Sequence, residues 1–217
     1  MRSVLDAGLS GLAGGILGAR LAYVVVNWLY FRQHIGEIPQ LPLGGLSWPG
    51  AALGALLALL IFASLSHQPL IELMEALLPL AAAVTVMVWL ACWLDGIAYG
   101  NTATAWWALP ARDEWGVLAL RAPLQFLGAA LALGLLWLAD AVTPDSRRRP
   151  PKPVTVQPGA LWAAGFSGMM LVLSILRTDP APAWAGLRLD AWASLFLFVS
   201  SLLALVLLPS FKKGIEG

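Results

Sequence analysis

Six stretches of about twenty mostly apolar residues dominate this sequence, at 4–29, 45–66, 70–94, 118–142, 158–177 and 191–210. That length is what an α-helix needs to cross the roughly 30 Å of hydrocarbon in a bilayer. A chain exposed to lipid has no water to satisfy its backbone, so each N–H and C=O must bond within its own segment, and helix is the expected form. We therefore expect an all-α, polytopic membrane protein with about six transmembrane helices in a single domain, 1–217. Composition agrees, because 59% hydrophobic and 12% charged residues, with a mean hydropathy of +0.79, leave too little polar surface to clothe a soluble globule.

The intervening segments carry turn chemistry. Two prolines fall in 30–44; Asn101, Pro110, Asp113 and Glu114 fall in 95–117; four prolines with Arg147, Arg148, Arg149 and Lys152 fall in 143–157. Counting Lys and Arg beside the spans gives one face Arg2, Arg147, Arg148, Arg149, Lys152, Lys212 and Lys213, and the other only Arg32, Arg112 and Arg188. Positive charge is retained inside, so both termini are expected in the cytoplasm. Trp28, Trp48, Trp106, Trp107, Trp115, Trp184 and Trp192 then gather at the outer boundary, which makes the outer loops interfacial. Asp6 and Arg20 interrupt the first apolar stretch, so it reads as a span and not as a signal peptide. No fixed-period repeat suggests an inverted-repeat transporter.

A net charge of +1 and one short basic run exclude the stripe that nucleic acid requires. Cys92 is the single cysteine, and His34 and His67 stand far apart, so neither a disulfide, a metal site nor any cofactor is expected.

Ionisable residues inside spans cost roughly 2.5–3.5 kcal/mol each on insertion scales, so each asks for a partner or a purpose. Arg20 lies some 24 Å up the first span at about 1.5 Å per residue, with Tyr23 at i+3 on the same face. It could snorkel to the headgroups, or its planar fork could clamp a lipid phosphate. Gly8, Gly11, Gly14, Gly15 and Gly18 on that helix would let a neighbouring helix approach closely. Asp95 ends the third span, three residues after Cys92, and is expected to serve as counter-ion to Arg20 or Arg121. Arg121 and Gln125 read as an i, i+4 pair opening the fourth span, with Pro123 in its first turn. Arg177 closes the fifth span before Thr178-Asp179-Pro180. Glu72 and Glu75 suit the positive end of the third helix.

The order of these elements resembles the prolipoprotein diacylglyceryl transferase family over nearly the whole chain. The blocks are Gly18-Ala19-Arg20-Leu21-Ala22-Tyr23, Gly44-Gly45-Leu46-Ser47-Trp48-Pro49-Gly50, Cys92-Trp93-Leu94-Asp95-Gly96-Ile97-Ala98-Tyr99-Gly100, Arg121-Ala122-Pro123-Leu124-Gln125, and Arg177-Thr178-Asp179-Pro180 through Gly186-Leu187. The resemblance implies a multi-pass protein of the bacterial inner (cytoplasmic) membrane. Its partners would be phosphatidylglycerol, a lipoprotein precursor peptide and membrane lipids. The diacylglyceryl group would pass from phosphatidylglycerol to the precursor's cysteine thiol, releasing glycerol phosphate. Arg20, Arg121, Gln125, Arg177 and Tyr99 would then bind the lipid phosphate, and Tyr23 and Asp95 would be the catalytic side chains.

The departures fall on positions to which the family's chemistry is attributed. A family histidine position reads Pro49, a lipid-phosphate arginine reads Trp89, a later arginine reads Met170 and a glutamate reads Ser174. The resemblance also leads us to expect that the family's usual first membrane helix is missing, since the sequence begins just before the helix that carries Arg20. A thiol needs a base and a departing phosphate needs a cation. This sequence has the cations but no evident base. Three classes of function stay open: a divergent transferase, a catalytically silent relative that binds phospholipid or lipoprotein precursor, and a small transporter or channel subunit.

Overall fold

The computed structural model describes residues 2–142 and 158–213. The basic segment used for orientation, with Arg147, Arg148, Arg149 and Lys152, lies outside them. The protein is a multi-pass membrane protein. Among the described residues, five helices are long and apolar enough to cross a bilayer, or six when one broken pair counts as a single span. Two compact units can be distinguished, Met1–Leu77 and Leu78–Gly217.

The first unit begins with α1 (Arg2–Val26), whose exposed Leu5, Leu9, Leu17, Leu21 and Val25 follow an i, i+4 row that winds slowly round the helix and offers lipid an apolar surface. Asn27 ends it by donating its side-chain amide to the Tyr23 carbonyl at 2.9 Å. A short α2 (Trp28–Phe31) and two 3₁₀ turns lead to α3 (Trp48–Ser66), where Pro49 occupies the first turn, a place that needs no N–H. His67, at φ 53, closes α3 in the left-handed conformation. Gly14 and Gly18 of α1 lie against Gly50 and Gly54 of α3, so closely that a Cβ on Gly18 would stand 2.7 Å from the Gly54 Cα. The glycine run thus does what its composition suggested and lets two backbones touch. Below the crossing, Ala7, Leu59, Ala63 and Leu73 form a small core.

The expected third span, 70–94, is broken at Leu77 into α4 (Leu70–Ala76) and α5 (Leu78–Leu94). Pro79 explains the break, since it cannot donate to Glu75 and its ring crowds that carbonyl.

In the second unit, α5 is followed by a loop holding an antiparallel hairpin, β1 (Leu109–Arg112) with β2 (Leu118–Arg121), in register Leu109 to Arg121 and Arg112 to Leu118. The Asp113 carboxylate shapes its turn by accepting from the Trp115 and Val117 N–H groups at 3.1 and 2.9 Å. The fourth span was expected from 118, but α6 (Leu124–Val142) begins only after Pro123. A proline pushes its predecessor to extended backbone, so Arg121 ends a strand and does not share a helical face with Gln125. Then come α7 (Pro158–Leu176), a β3 (Ala183–Trp184) to β4 (Leu187–Arg188) hairpin and α8 (Leu189–Lys213). Ala185 and Gly186 turn that hairpin with φ of 50 and 80, the two positive values its two-residue loop demands. Buried Ser167 and Ser194 donate to carbonyls four residues back, so their hydroxyls are satisfied within their own helices.

Candidate functional site

In the first unit Arg20 is buried and most of its fork is committed. Nε donates to Ile38 O at 2.8 Å, Nη1 to Gly44 O at 2.5 Å and Gly45 O at 3.2 Å, and Nη2 to Glu37 O at 2.6 Å. The guanidinium also lies 5.3 Å from the Phe31 ring centroid and 6.0 Å from that of Tyr23. Tyr23 packs beneath Gly45, whose φ of 76 and lack of a side chain make room for the ring. Arg20 thus neither snorkels nor stands open; it ties the 35–45 loop to α1. Lysine, a point charge with three donors, cannot reach these four carbonyls. Arg20→Lys is expected to ease local opening of that loop by about 2 kcal/mol, read as faster hydrogen exchange at 37–45.

In the second unit the segment 99–103 is joined by isolated antiparallel bridges to two of the predicted arginines, Gly100 to Arg177 and Thr102 to Arg121. The Tyr99 carbonyl accepts from the Thr178 N–H at 3.0 Å, and the Asn101 carbonyl from the Ala122 N–H at 2.9 Å. Gln125 is fully buried and donates to the Ile97 carbonyl at 2.9 Å, where Ala98 turns through a left-handed φ of 58.

Arg121 stacks 4.3 Å from the Tyr99 ring centroid and pairs through Nη2 with Asp113 at 3.0 Å, each side chain 11% exposed. Its Nε–H is buried with no hydrogen-bond partner among the described residues. The Tyr99 hydroxyl donates to the Glu114 carboxylate. Burial and that bond push the phenol up to about 12, so at neutral pH Tyr99 is a donor and not a base. Asp95, expected as a counter-ion, is exposed and makes no ion pair among the described residues; the carboxylate on Arg121 is Asp113.

Arg177 sits in a second cluster. Its Nε and Nη2 embrace Asp179 at 2.9 and 2.6 Å, and its Nη1 reaches Asp190 at 3.4 Å. Arg188 donates to the Asp179 carbonyl at 2.7 Å and to Asp190 at 3.2 Å, and Ser174 donates to Asp190 at 2.8 Å. Burial alone would raise the Asp179 carboxyl, but the bidentate bond from Arg177 and the charge of Arg188 outweigh it and hold it below the usual range. A depressed folded value stabilises the protein fully above the unfolded pKa of about 3.9, and the gain is lost as pH falls through the folded value. Asp179→Asn is therefore expected to lower the unfolding temperature at pH 7 and to flatten its decline on acidification below about pH 4, as followed by thermal scans in detergent.

An apolar groove of about 430 Å³ adjoins both arginine-bearing segments, lined by Asn101, Trp107, Pro123, Leu124, Leu127 and Leu176 among others. The positions where the resemblance leads one to look for charge are filled differently. Trp89 is buried against Gly128 of α6, and Met170 is buried on α7. Ser174 meets a carboxylate supplied by Asp190. Sequence reasoning passed over Asp113 as the partner of Arg121 and Glu114 as the acceptor from Tyr99, counted Arg188 only as a loop charge, and passed over Asp190 altogether. Among the described residues no three His, Cys, Asp or Glu side chains stand together as metal ligands.

A family profile described as "Prolipoprotein diacylglyceryl transferase" matches residues 2–207. Among similar proteins, one from Acaryochloris marina is 26% identical over 211 residues, covering 90% of this chain and 76% of the relative. One from Corynebacterium glutamicum is 27% identical over 234 residues, covering 98% of this chain and 71% of the relative. One from Fervidobacterium nodosum is 39% identical over 87 residues, where the match spans 37% of this chain and only 29% of the relative. All three are named phosphatidylglycerol–prolipoprotein diacylglyceryl transferase.

Proposed function

Because the chain belongs to the prolipoprotein diacylglyceryl transferase family, we propose that it moves the diacylglyceryl group of phosphatidylglycerol onto the cysteine thiol of a lipoprotein precursor. It would do so in the bacterial inner membrane, with both termini cytoplasmic and the arginine clusters at the outer face. The observation that carries this reading is Arg121: a guanidinium held over Tyr99, with a buried Nε–H that has no partner among the described residues, beside an apolar groove. A lipid phosphate oxygen satisfies that N–H and an acyl chain suits the groove.

In the reaction the thiol loses its proton and sulfur attacks the glycerol carbon bearing the phosphate ester. The S–C bond forms, the C–O bond breaks and glycerol phosphate departs with the electron pair. Arg121 stabilises the charge gathering on the leaving phosphate, with Arg177 and Gln125 fixing the frame around it. The protonated Tyr99 contributes its ring and donor; within the first unit, Arg20 keeps one Nη2 N–H that a lipid phosphate oxygen can accept from. Asp95, whose carboxylate is exposed and free of ion pairs among the described residues, takes the thiol proton; in the first unit the Tyr23 hydroxyl is the group able to carry a proton.

A second reading has its own observation: Trp89 and Met170, apolar and packed in the core, replace two charges of the family pattern. A relative so altered would bind phosphatidylglycerol without transferring anything. The test is transfer of labelled diacylglyceryl from phosphatidylglycerol liposomes to a peptide with a lipobox cysteine. Transfer abolished by Asp95→Asn and Arg121→Ala supports the enzyme; lipid binding that needs Arg121, with no transfer, supports the silent relative.

A further inference from the structure

The apolar groove of the second unit has two polar side chains on its lining, Asn101 and Trp107. Asn101 and Ala103 line it while Thr102 between them does not, and Ala122 and Leu124 line it from the facing segment. The Ala122 N–H donates to the Asn101 carbonyl and the Leu124 N–H to the Ala122 carbonyl, both at 2.9 Å, so two backbone acceptors at this rim are already engaged. The exposed Asn101 carboxamide and the half-exposed Trp107 indole make no hydrogen bond among the described residues. Together they offer three N–H donors and one acceptor oxygen. The rest of the lining is apolar. Half-exposed Leu127 and Leu176 belong to α6 and α7, two of the helices long enough to cross the bilayer, so the groove is continuous with surface that lipid covers.

We infer that Asn101 is a specificity-determining residue of the lipid site: its carboxamide donates to an ester carbonyl of the bound lipid, so that ester-linked chains are selected over ether-linked ones. This rests on the groove being a phosphatidylglycerol site, whether that site is active or silent. An excess of donors in an apolar groove calls for a ligand with acceptors, few donors and alkyl chains. The glycerol ester region of a phospholipid has that composition, whereas a polypeptide brings an N–H with nearly every C=O. A diether analogue has no carbonyl there and leaves the carboxamide unmet. Ala122, which bonds to Asn101, follows Arg121 in sequence, so a lipid whose phosphate meets Arg121 carries its esters into the neighbourhood of Asn101. The ester carbonyls are unchanged while the C–O bond to phosphate breaks, so their hydrogen bond has equal strength before and in the transition state.

The test uses the full chain in dodecyl maltoside micelles, which contain no ester. Diester phosphatidylglycerol and its diether analogue of equal chain length are compared for binding and for transfer to a lipobox peptide. The unaltered protein is expected to prefer the diester about tenfold. Asn101→Leu, similar in size, is expected to raise KM for the diester about tenfold at unchanged kcat, with the diether bound as before. Asn101→Ser keeps a donor and should restore part of the preference. The two mixed lipids, with one ester and one ether each way round, are offered to the unaltered protein, and only one is expected to bind like the diester. That comparison decides the matter even where Asn101→Leu does not fold. Equal use of all four lipids, or equal loss of diester and diether in Asn101→Leu, overturns the inference and leaves the transferase reading intact if transfer proceeds. A diester preference that needs Asn101, without transfer, upholds the inference on a silent lipid-binding protein. Binding of neither lipid defeats the inference and the transferase reading together.

Discussion

Alanine at Arg121 is expected to lower the rate of diacylglyceryl transfer by about 10²–10³, the loss seen when a group aimed at developing charge is removed. The same change withdraws the partner of Asp113, whose side chain is only 11% exposed, and an orphaned carboxylate at such depth costs roughly 3 kcal/mol. The two effects separate in a double variant. Arg121→Ala with Asp113→Asn, which keeps the oxygen that accepts from Trp115 and Val117, should recover most of the stability and none of the activity. Arg121→Lys is the sharper probe: it keeps a cation for Asp113 but loses the planar fork over Tyr99 and the Nε–H, so activity should stay at least tenfold down. Full activity in Arg121→Lys would mean that charge alone suffices and that the unpartnered N–H has no role.

The second large effect is expected where no chemistry occurs. Alanine at Gly54 places a Cβ 2.8 Å from the Gly18 Cα, and the neighbour is backbone, which cannot rotate aside. Either helix must move, and the loss should be about 2 kcal/mol, measured as unfolding in mixed micelles. Gly134 on α6 meets nothing within 4 Å, so Gly134→Ala should be neutral or stabilising by up to about 1 kcal/mol through helix propensity. Equal behaviour of the two alanines would show that the crossing is not close in the membrane.

These contrasts also mark what could be read in advance. The spans were legible because apolar length is nearly the whole requirement for crossing lipid, and the glycine run of α1 was legible because its only cheap use is close packing. Span ends were harder. Pro79 and Pro123 moved two of them, breaking one helix and turning the supposed first turn of another into a strand. With that, the helical pairing of Arg121 and Gln125 dissolved, although both side chains still hold the same loop, one through Asp113 and one through Ile97. Arg20 was visible as an anomaly in an apolar helix, but its four carbonyl partners were not, since a backbone acceptor leaves no mark in sequence. The carboxylates suffered differently: Asp95 stood out because it ends an expected span, while Asp113, Asp179 and Asp190 reach their arginines through turns whose shape sequence spacing does not show.

The cluster at the end of α7 consists of two guanidiniums and two carboxylates in mutual contact, so its charges cancel beyond a few ångströms. A neutral quartet casts no long field and draws no anion from afar. An anionic lipid would therefore arrive by lateral diffusion and be recognised only on contact. Capture of phosphatidylglycerol should then depend on its surface density in the leaflet and hardly at all on ionic strength, unlike enzymes that steer charged substrates out of bulk water.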